Sequence, residues 1–338
     1  MNRYKKWLKE RVYGAEGINE TIYQSLLKAE KHVKDHDRIA CSISGGADSD
    51  VMLDIMTKVD PERKTKYVWF NTGLEYQATK DHIKELENKY GVKIQTASPK
   101  KAIPTAVKEH GVPFLSKYVS EQIQRLQRHG FQWENEPFEK LAKKYSNCEC
   151  SLKWWCNART RADGSRSRYD IGQNKWLKEF ILANPPTFLV SNKCCTYAKK
   201  DVAKKFNKAY NTDLNCTGVR KAEGGVRATA YNTCYSICTD KYDEFRPIFW
   251  YKDADKLLYE NIFNVTHSKC YTEYGLKRTG CVGCPYGRNF EEELEIIQKY
   301  EPKLYGACMN IFGKSYEYTR KYREFQKMMN EKEKRGEI

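Results

Sequence analysis

The chain has 338 residues, of which 40% are hydrophobic and 13% aromatic, a composition that supports a large buried core and excludes a disordered chain. Its formal net charge of +16 favours an anionic ligand or partner. No apolar run approaches the roughly 18 residues of a membrane span, and the N-terminus lacks a signal peptide's apolar stretch, so we expect a cytoplasmic protein with no membrane partner.

After a helical start, predicted strands and helices alternate along the chain. Two helices are expected within residues 1–37, and a buried strand with a glycine turn follows them. Strands alternating with helices predict an α/β fold with a parallel, doubly wound sheet. The predicted strands cover residues 38–43, 66–70 and 92–97, with helices from Asp48 or Ser49 and over about 76–90 between them.

The alternation breaks at an insertion of about residues 110–186. A strand-like run at 187–190 is expected to resume the core, and residues 213–220 read as another strand and loop. We expect residues 245–250 at a sheet edge, because Pro247 cannot donate to a strand ladder. The sequence therefore predicts a helical extension at 1–37, an α/β domain at 38–288 and a helical extension at 289–338.

A glycine turn, Ser44-Gly45-Gly46-Ala47-Asp48-Ser49, joins the first strand of the sheet to its helix. Glycines allow close backbone approach, and a helix N-terminus attracts an anion, so a phosphate group is expected over Gly45 and Gly46. The turn lacks the lysine of a P-loop and the three glycines of a dinucleotide fingerprint. An ordinary strand-to-helix turn is the alternative.

Several cationic and polar residues could complete an anion site. Arg220 and Arg227 flank a Gly224-Gly225 turn, and guanidinium groups bind phosphate oxygens bidentately. The alternative is a pair of surface cations near Glu223. Lys199 is a further candidate, or one of several lysines on a solvated helix.

Thirteen cysteines in a chain without an export signal favour metal or thiol chemistry. Cys194-Cys195 and Cys281-x-x-Cys284 together supply four thiolates, the usual complement of a [4Fe–4S] cluster. A structural zinc ion and buried thiols are the alternatives. The adjacent pair favours the cluster, because zinc sites typically separate paired cysteines by two or more residues.

The insertion carries a second cysteine group and a basic surface. Cys148, Cys150 and Cys156 are expected to be packed thiols, although metal binding with a fourth ligand such as His129 stays open. Cations for phosphates and aromatic rings for stacking suit a nucleic-acid partner. The basic residues are Lys143, Lys144, Lys153, Arg159, Arg161, Arg166 and Arg168, near Trp154 and Trp155.

Together these motifs resemble the phosphoadenosine phosphosulfate (PAPS) reductase family of the adenine nucleotide α-hydrolase-like superfamily, over roughly residues 38–288 apart from the insertion. The matching segments are Ser44–Ser49, Asn71-Thr72-Gly73-x-Glu75, Cys194-Cys195 with Lys199, Gly218-x-Arg220-x-x-Glu223-x-x-x-Arg227, Pro247-x-x-Trp250-x-x-Asp253-x-Asp255 and Cys281-x-x-Cys284.

The resemblance implies the roles of these residues. The loop would hold the phosphates of ATP or adenylyl sulfate with Mg²⁺, and the turn at 71–75 would line the nucleotide site. The family usually has Asp where this chain has Asn71, so a carboxylate for magnesium or a ribose hydroxyl is missing. The implied nucleotide ligands are Ser44, Gly45, Gly46, Asp48, Ser49, Asn71, Thr72, Gly73, Glu75, Lys199, Arg220 and Arg227, and the cluster ligands Cys194, Cys195, Cys281 and Cys284.

Three functions follow from the resemblance. The leading one is an ATP pyrophosphatase and sulfurtransferase that adenylates an acceptor and then replaces the adenylate by sulfur. A nucleic acid is the candidate acceptor, and a protein is the candidate sulfur donor. The second is an adenylyl-sulfate or phosphoadenylyl-sulfate reductase; its tail motif with a nucleophilic cysteine is missing here, and Cys308 is the candidate beyond the cluster motif. The third is an idle nucleotide-binding or redox-sensing protein, which Asn71 favours.

Overall fold

A computed structural model describes residues 19–165, 167, 169–238 and 241–337. The chain forms two compact units. The first contains Met1–Lys100 and Ala198–Val282, and the second contains Lys101–Tyr197 and Gly283–Ile338. The first of the two helices predicted within residues 1–37 lies outside the described residues. The division into extensions, α/β domain and insertion stays a prediction.

The described strands and helices follow the predicted alternation in the first unit. The strands are β1 Ile39–Ile43, β2 Lys66–Phe70, β3 Ile94–Ala97, β4 Leu214–Thr217, β5 Tyr235–Ser236 and β6 Asp243–Phe245. The α-helices are α1 Glu20–Asp35, α2 Ala47–Val59, α3 Gln77–Tyr90, α4 Ile103–His110, α5 Lys117–Arg128, α6 Phe138–Lys144, α7 Glu149–Trp155, α8 Leu177–Ala183, α9 Lys193–Cys195, α10 Asp201–Tyr210, α11 Gly225–Ala230, α12 Asp253–Phe263, α13 Lys269–Thr272, α14 Phe290–Tyr300 and α15 Pro302–Lys334. Short 3₁₀ turns cover Ser146–Cys148, Ile171–Gln173 and Lys221–Glu223, and a π-turn covers Thr196–Lys200.

The sheet of the first unit has the order β3-β2-β1-β4-β6-β5. Its strands pair in parallel except β5, which is antiparallel to β6. The chain moves outward from β1 in one direction to β2 and β3, and later in the other direction to β4. This confirms the α/β fold with a parallel, doubly wound sheet, and the switch between β1 and β4 is where such sheets bind ligands.

Burial explains why β1 and α2 hold this position. Four of the five residues of β1 are buried. The helix α2 also buries most of its apolar side chains. Val51, Met52, Ile55 and Met56 are all 0% exposed and belong to the same core as β1. A strand and helix buried on this scale fix the turn that joins them.

The second unit is built around aromatic side chains between its helices. Trp154, Trp155 and Phe180 are fully buried in its core. The prediction that residues 187–190 form a core strand is wrong, because in the described structure this run contributes a single parallel bridge between Val112 and Val190. Phe188 and Val190 pack into the core of the second unit, and Leu189 between them is exposed.

The predicted edge position of residues 245–250 is also wrong. Phe245 ends β6, which is hydrogen-bonded on both sides, and Pro247 lies beyond the strand where no ladder bond is needed. Within the described residues, none of the helices combines the length and apolar character that crossing a bilayer requires.

Candidate functional site

The predicted phosphate loop lies at the sheet's switch point, between the end of β1 and the start of α2. Gly45 has a φ of +68°, and a Cβ there would lie 2.8 Å from Thr79 Cγ2, so glycine is required. Gly218, after β4, approaches just as closely, because its Cβ would lie 2.9 Å from the Asp48 carbonyl oxygen. The backbone of the loop after β1 therefore packs directly against the backbone that follows β4.

Serine hydroxyls hold the loop in shape. Ser49 Oγ donates to the Gly46 carbonyl at 2.8 Å and accepts from the Gly46 N–H at 3.1 Å. Ser44 Oγ lies 3.1 Å from Ser49 Oγ. Ser44, Gly45, Gly46 and Ser49 are thus brought together at the helix N-terminus, with Ser44 exposed and the other three buried.

Two cations converge on Asp48, in the first turn of α2. Arg220 Nε lies 2.9 Å and Lys256 Nζ 3.1 Å from Asp48 Oδ1. Arg220 is only 7% exposed and also contacts Asp253 Oδ1 at 2.8 Å. The structure therefore places Arg220 at the phosphate loop, and it adds Lys256, which the sequence analysis did not select.

Behind the loop, Asp50 is fully buried between two histidines. Its Oδ2 lies 2.9 Å from His267 Nδ1 and 3.1 Å from His82 Nε2. The second ring nitrogen of His267 lies 2.9 Å from Glu260 Oε1. Burial lowers the pKa of His267, but the hydrogen bonds that its ring donates to Asp50 and Glu260 outweigh burial and raise the pKa to about 9. The imidazolium therefore links α2 to α12 near neutral pH.

The turn at 71–75 follows β2, the neighbour of β1 on its other side. Asn71 Oδ1 accepts the Gly73 N–H at 2.9 Å, so its amide side chain shapes the turn. Thr72 Oγ1 donates to Glu75 Oε1 at 2.6 Å, and both residues are buried. Burial raises the pKa of Glu75, and the charge of Lys199 opposes that effect. Lys199 therefore lies within electrostatic range of this turn.

The candidate nucleotide ligands of the first unit follow three neighbouring strands, β2, β1 and β4, except Lys199, which lies in the π-turn before α10. The side chain of Arg227 lies outside the described residues, although its backbone belongs to α11. The set therefore stays a prediction, with its described members at the expected edge of the sheet.

Three of the four candidate cluster ligands belong to the second unit. Burial raises the pKa of Tyr286, and negative charge on Cys194, Cys195 and Cys284 raises it further, so these three thiols lie within electrostatic range of one phenol. Cys281 belongs to the first unit, three peptide bonds before Cys284. In the part of the chain that the structure describes, no group of three or more His, Cys, Asp or Glu side chains is arranged around a single metal ion.

Cys308 lies on α15 in the core of the second unit. It is 0% exposed, and burial raises the pKa of its thiol to about 12. A Cβ on Gly283 would lie 2.8 Å from Cys308 Sγ, so the thiol is packed against the backbone before Cys284. These surroundings are the opposite of those that activate a nucleophilic cysteine.

We expect Cys308 to resist alkylation in the folded protein. At pH 8 iodoacetamide should modify the exposed Cys150 and Cys238 within minutes and leave Cys308 unmodified, because its thiolate is scarce and inaccessible. Mass spectrometry of proteolytic peptides measures each site, with urea-unfolded protein as the control in which all three react. Modification of Cys308 as fast as Cys238 in folded protein would contradict this expectation.

The second cysteine group has separate neighbours. Cys148 Sγ donates to the Tyr145 carbonyl at 3.5 Å, and Cys156 Sγ to the Glu136 carbonyl at 3.8 Å. Cys150 is exposed, with Arg159 Nη2 at 3.5 Å from its sulfur. The contacts of Cys148 and Cys156 are those of packed thiols, whereas the expectation of a packed thiol is wrong for the exposed Cys150. A metal-binding role stays a prediction.

The basic surface of the insertion differs from the prediction in its aromatic part. Trp154 and Trp155 are both 0% exposed, so they cannot stack on bases. Lys144 pairs with Glu134 at 2.7 Å and Lys153 with Glu149 at 2.8 Å, which reduces the local positive charge. Arg166 and Arg168 lie outside the described residues.

Residues 38–143 match the family model of the phosphoadenosine phosphosulfate reductase domain. The resemblance inferred from the motifs is confirmed for this segment, which contains the phosphate loop and the turn at 71–75. The cysteine motifs, Lys199 and Arg220 lie beyond the part that matches the PAPS reductase domain. No curated protein sequence matches the chain.

Three solved structures are similar to this chain at low sequence identity. A phosphoadenylyl-sulfate reductase from Candida auris, in a phosphate complex, has 13% identity and a TM-score of 0.42, covering 83% of this chain and 95% of its own. The U34-tRNA thiolase NcsA from Methanococcus maripaludis, with its [4Fe–4S] cluster, has 12% identity and a TM-score of 0.37, covering 91% and 79%. An NH₃-dependent NAD synthetase from Campylobacter jejuni has 10% identity and a TM-score of 0.37, covering 88% and 95%.

Proposed function

We propose that this chain is an ATP-using enzyme that adenylates an acceptor and transfers sulfur to it. The observation that carries the proposal is the glycine loop at the switch point, with the Arg220 and Lys256 cations held beside its first helical turn. A helix N-terminus and two cations favour a triphosphate, whose charge they offset.

The chemistry is a pair of substitutions. An acceptor oxygen attacks the α-phosphorus of ATP, the bond to the β-phosphate oxygen breaks, and pyrophosphate leaves. A hydrosulfide from a donor protein then attacks the acceptor atom that bears the adenylated oxygen. The bond between that atom and the oxygen breaks, AMP leaves with the oxygen, and a proton is released. Arg220 and Lys256 would stabilise the charge on the departing pyrophosphate, which is the main contribution that a protein makes to such reactions.

Magnesium and an iron–sulfur cluster are part of the proposal. Asp48 is the carboxylate at the loop that would bind Mg²⁺, through the oxygen that Arg220 and Lys256 leave available. Cys194, Cys195, Cys281 and Cys284 would hold a [4Fe–4S] cluster. Four thiolates are the usual complement of such a cluster, and Cys194, Cys195 and Cys284 lie within electrostatic range of one phenol, Tyr286. When bound, the cluster supplies iron that can bind a sulfur atom.

A nucleic-acid acceptor and a sulfur-donor protein stay predictions from the net charge and the family resemblance. The match to the PAPS reductase domain favours a second candidate function, reduction of adenylyl sulfate or phosphoadenylyl sulfate to sulfite. That reaction needs a nucleophilic thiol, and the burial and raised pKa of Cys308 argue against this residue. Sulfite release unchanged by Cys308→Ser would exclude Cys308 from such a role.

The proposal predicts that anaerobically prepared protein releases pyrophosphate from ATP, and that Arg220→Gln lowers kcat/KM for this release about a hundredfold, because one charged donor to a developing anion contributes about 3 kcal/mol. Arg220→Lys keeps the charge but not the bidentate geometry, so its kcat/KM should fall less than that of Arg220→Gln. Release is measured with a coupled phosphate assay, with and without tRNA or DNA.

The controls separate the three functions. Sulfite release from adenylyl sulfate without pyrophosphate release from ATP would favour the reductase. Nucleotide binding without either product would favour the idle binding protein. Equal pyrophosphate release by wild type and Arg220→Gln would contradict the assigned role of Arg220.

A further inference from the structure

Three hydroxyl groups surround Gly46 at the start of α2. A Cβ built on Gly46 would lie 3.1 Å from Thr279 Oγ1, and 3.2 Å from both Ser44 Oγ and Tyr271 Oη. All of these residues belong to the first unit. A side chain at 46 would therefore crowd these hydroxyl groups, which can donate to an anion and lie beside its α-carbon.

The hydrogen bonds of Tyr271 fix the direction of its own proton. Its oxygen accepts the N–H of Ala47, the first residue of α2, at 3.2 Å, and the N–H of Thr279 at 3.2 Å. The phenolic oxygen then has both acceptor positions filled, so its proton points to the remaining partner, Thr279 Oγ1, at 3.0 Å.

Thr279 Oγ1 consequently acts as the acceptor in that contact. The O–H of Thr279 then has no hydrogen-bond acceptor among the described residues. It lies beside the loop where a phosphate is expected. Tyr271 is largely buried, and burial raises the pKa of its phenol, so it stays a neutral donor to Thr279. The Thr279 hydroxyl proton is therefore available to an anion bound beside Gly46, at the N-terminus of α2.

We propose that the Thr279 hydroxyl donates a hydrogen bond to a phosphate oxygen of the nucleotide held by the Ser44–Ser49 loop, with Tyr271 as the residue that positions it. This inference rests on the proposed function and adds a phosphate ligand to it. Thr279 stands two residues before Cys281, so one short segment contributes both to the phosphate site and to the candidate cluster ligands.

The size of the expected effect follows from the charge of the acceptor. A hydrogen bond from a neutral hydroxyl to a charged oxygen contributes about 1.5–3 kcal/mol, which corresponds to about a ten- to hundredfold change in affinity. Adenosine has no phosphate, so its binding should not depend on this hydroxyl.

The test compares Thr279→Val, which keeps the shape but removes the hydroxyl, with Thr279→Ser, which keeps the hydroxyl. Competition against a fluorescent ATP analogue measures the affinities of ATP, inorganic pyrophosphate and adenosine. We expect Thr279→Val to weaken ATP and pyrophosphate at least about tenfold and to leave adenosine unchanged, and Thr279→Ser to bind all three within about threefold of wild type. Tyr271→Phe should also weaken pyrophosphate, by less than Thr279→Val, because the threonine hydroxyl loses its orienting partner.

Gly46→Val separates this inference from the proposed function, because the added side chain must displace the hydroxyl groups around the loop. Loss of ATP binding in Gly46→Val with wild-type binding in Thr279→Val would overturn the role of Thr279 alone. Equal losses in Thr279→Val and Thr279→Ser would overturn it as well. Absence of ATP binding by the wild type, or wild-type binding in Gly46→Val, would overturn both.

Discussion

Replacement of Asp50 by asparagine is expected to destabilise the first unit by about 3 kcal/mol, because it removes the buried partner of two imidazole rings. Asp50 is 0% exposed and its Oδ2 contacts both His82 and His267. An amide cannot balance a buried imidazolium, so the two histidines would lose charge or the helix would shift. Hydrogen exchange of peptides from α2, followed by mass spectrometry, should be about a hundredfold faster in the variant.

The matched control is Asp81→Asn on α3. Asp81 is exposed, and its carboxylate accepts a hydrogen bond from the exposed Gln77 at 3.0 Å. We expect this variant to change the stability by less than about 0.5 kcal/mol. Exchange in Asp50→Asn as slow as in Asp81→Asn would contradict the proposed importance of the buried carboxylate.

The pH dependence of the same experiment identifies the cause. The pKa of His267 rises from 6.5 to about 9 on folding. Its contribution to the free energy of unfolding is therefore complete below pH 6.5 and is lost as the pH rises through 9. The wild type should lose up to about 1.4 kcal/mol per pH unit within this window. The pKa of His82 is also raised, since Asp50 outweighs its burial, and it acts in the same direction.

The difference in unfolding free energy between wild type and Asp50→Asn should therefore become smaller as the pH rises from 6.5 to 9.5. The charged and titratable groups that face His267 are Asp50 on α2, Glu260 on α12 and Tyr271 on α13. Glu260→Gln removes the second carboxylate that raises the pKa of His267. In this variant the pH range over which stability is lost should therefore be narrower. A difference that stays constant across this range would show that the loss in Asp50→Asn comes from packing rather than from the charge of the histidines.

The fold and the loop could be predicted because their signals are local. The buried strand, the glycine turn and the apolar face of α2 are contiguous in sequence, and the alternation of elements implies that the ends of β1, β2 and β4 meet. Arg220 could be selected because it follows a strand and flanks a glycine turn. These features depend on short-range patterns that any parallel sheet imposes.

The supporting residues could not be predicted because their partners are distant in sequence. His267 lies 217 residues after Asp50, and Tyr271 lies 224 residues after Ala47. A lone histidine or tyrosine carries no spacing that marks it as a partner of a loop. The same reason explains the error at Trp154 and Trp155, whose lysine and arginine neighbours are typical of a surface although both rings fill a core.

Substitution of any of the four candidate cluster ligands by serine is expected to remove the iron. Anaerobically prepared wild type should contain about four iron atoms per chain and absorb broadly in the visible region, and each of Cys194→Ser, Cys195→Ser, Cys281→Ser and Cys284→Ser should lose most of both. The reason is that a cube bound by three thiolates exposes one iron to solvent and oxidant. Colorimetric iron and sulfide assays measure the result.

Cys238→Ser and Cys308→Ser are the matched controls, one at an exposed position and one in the core. Both should keep the iron, because neither belongs to the candidate set, and Cys308→Ser tests whether the core of the second unit tolerates serine. Zinc in place of iron in the wild type would favour the tetrahedral site instead. Full iron content in all four ligand variants would contradict the cluster. Iron loss in only the Cys194, Cys195 and Cys284 variants would reduce the ligand set to the three thiols of the second unit. The nucleotide and cluster proposals are therefore separable, since Asp50→Asn and Thr279→Val should leave the iron content unchanged.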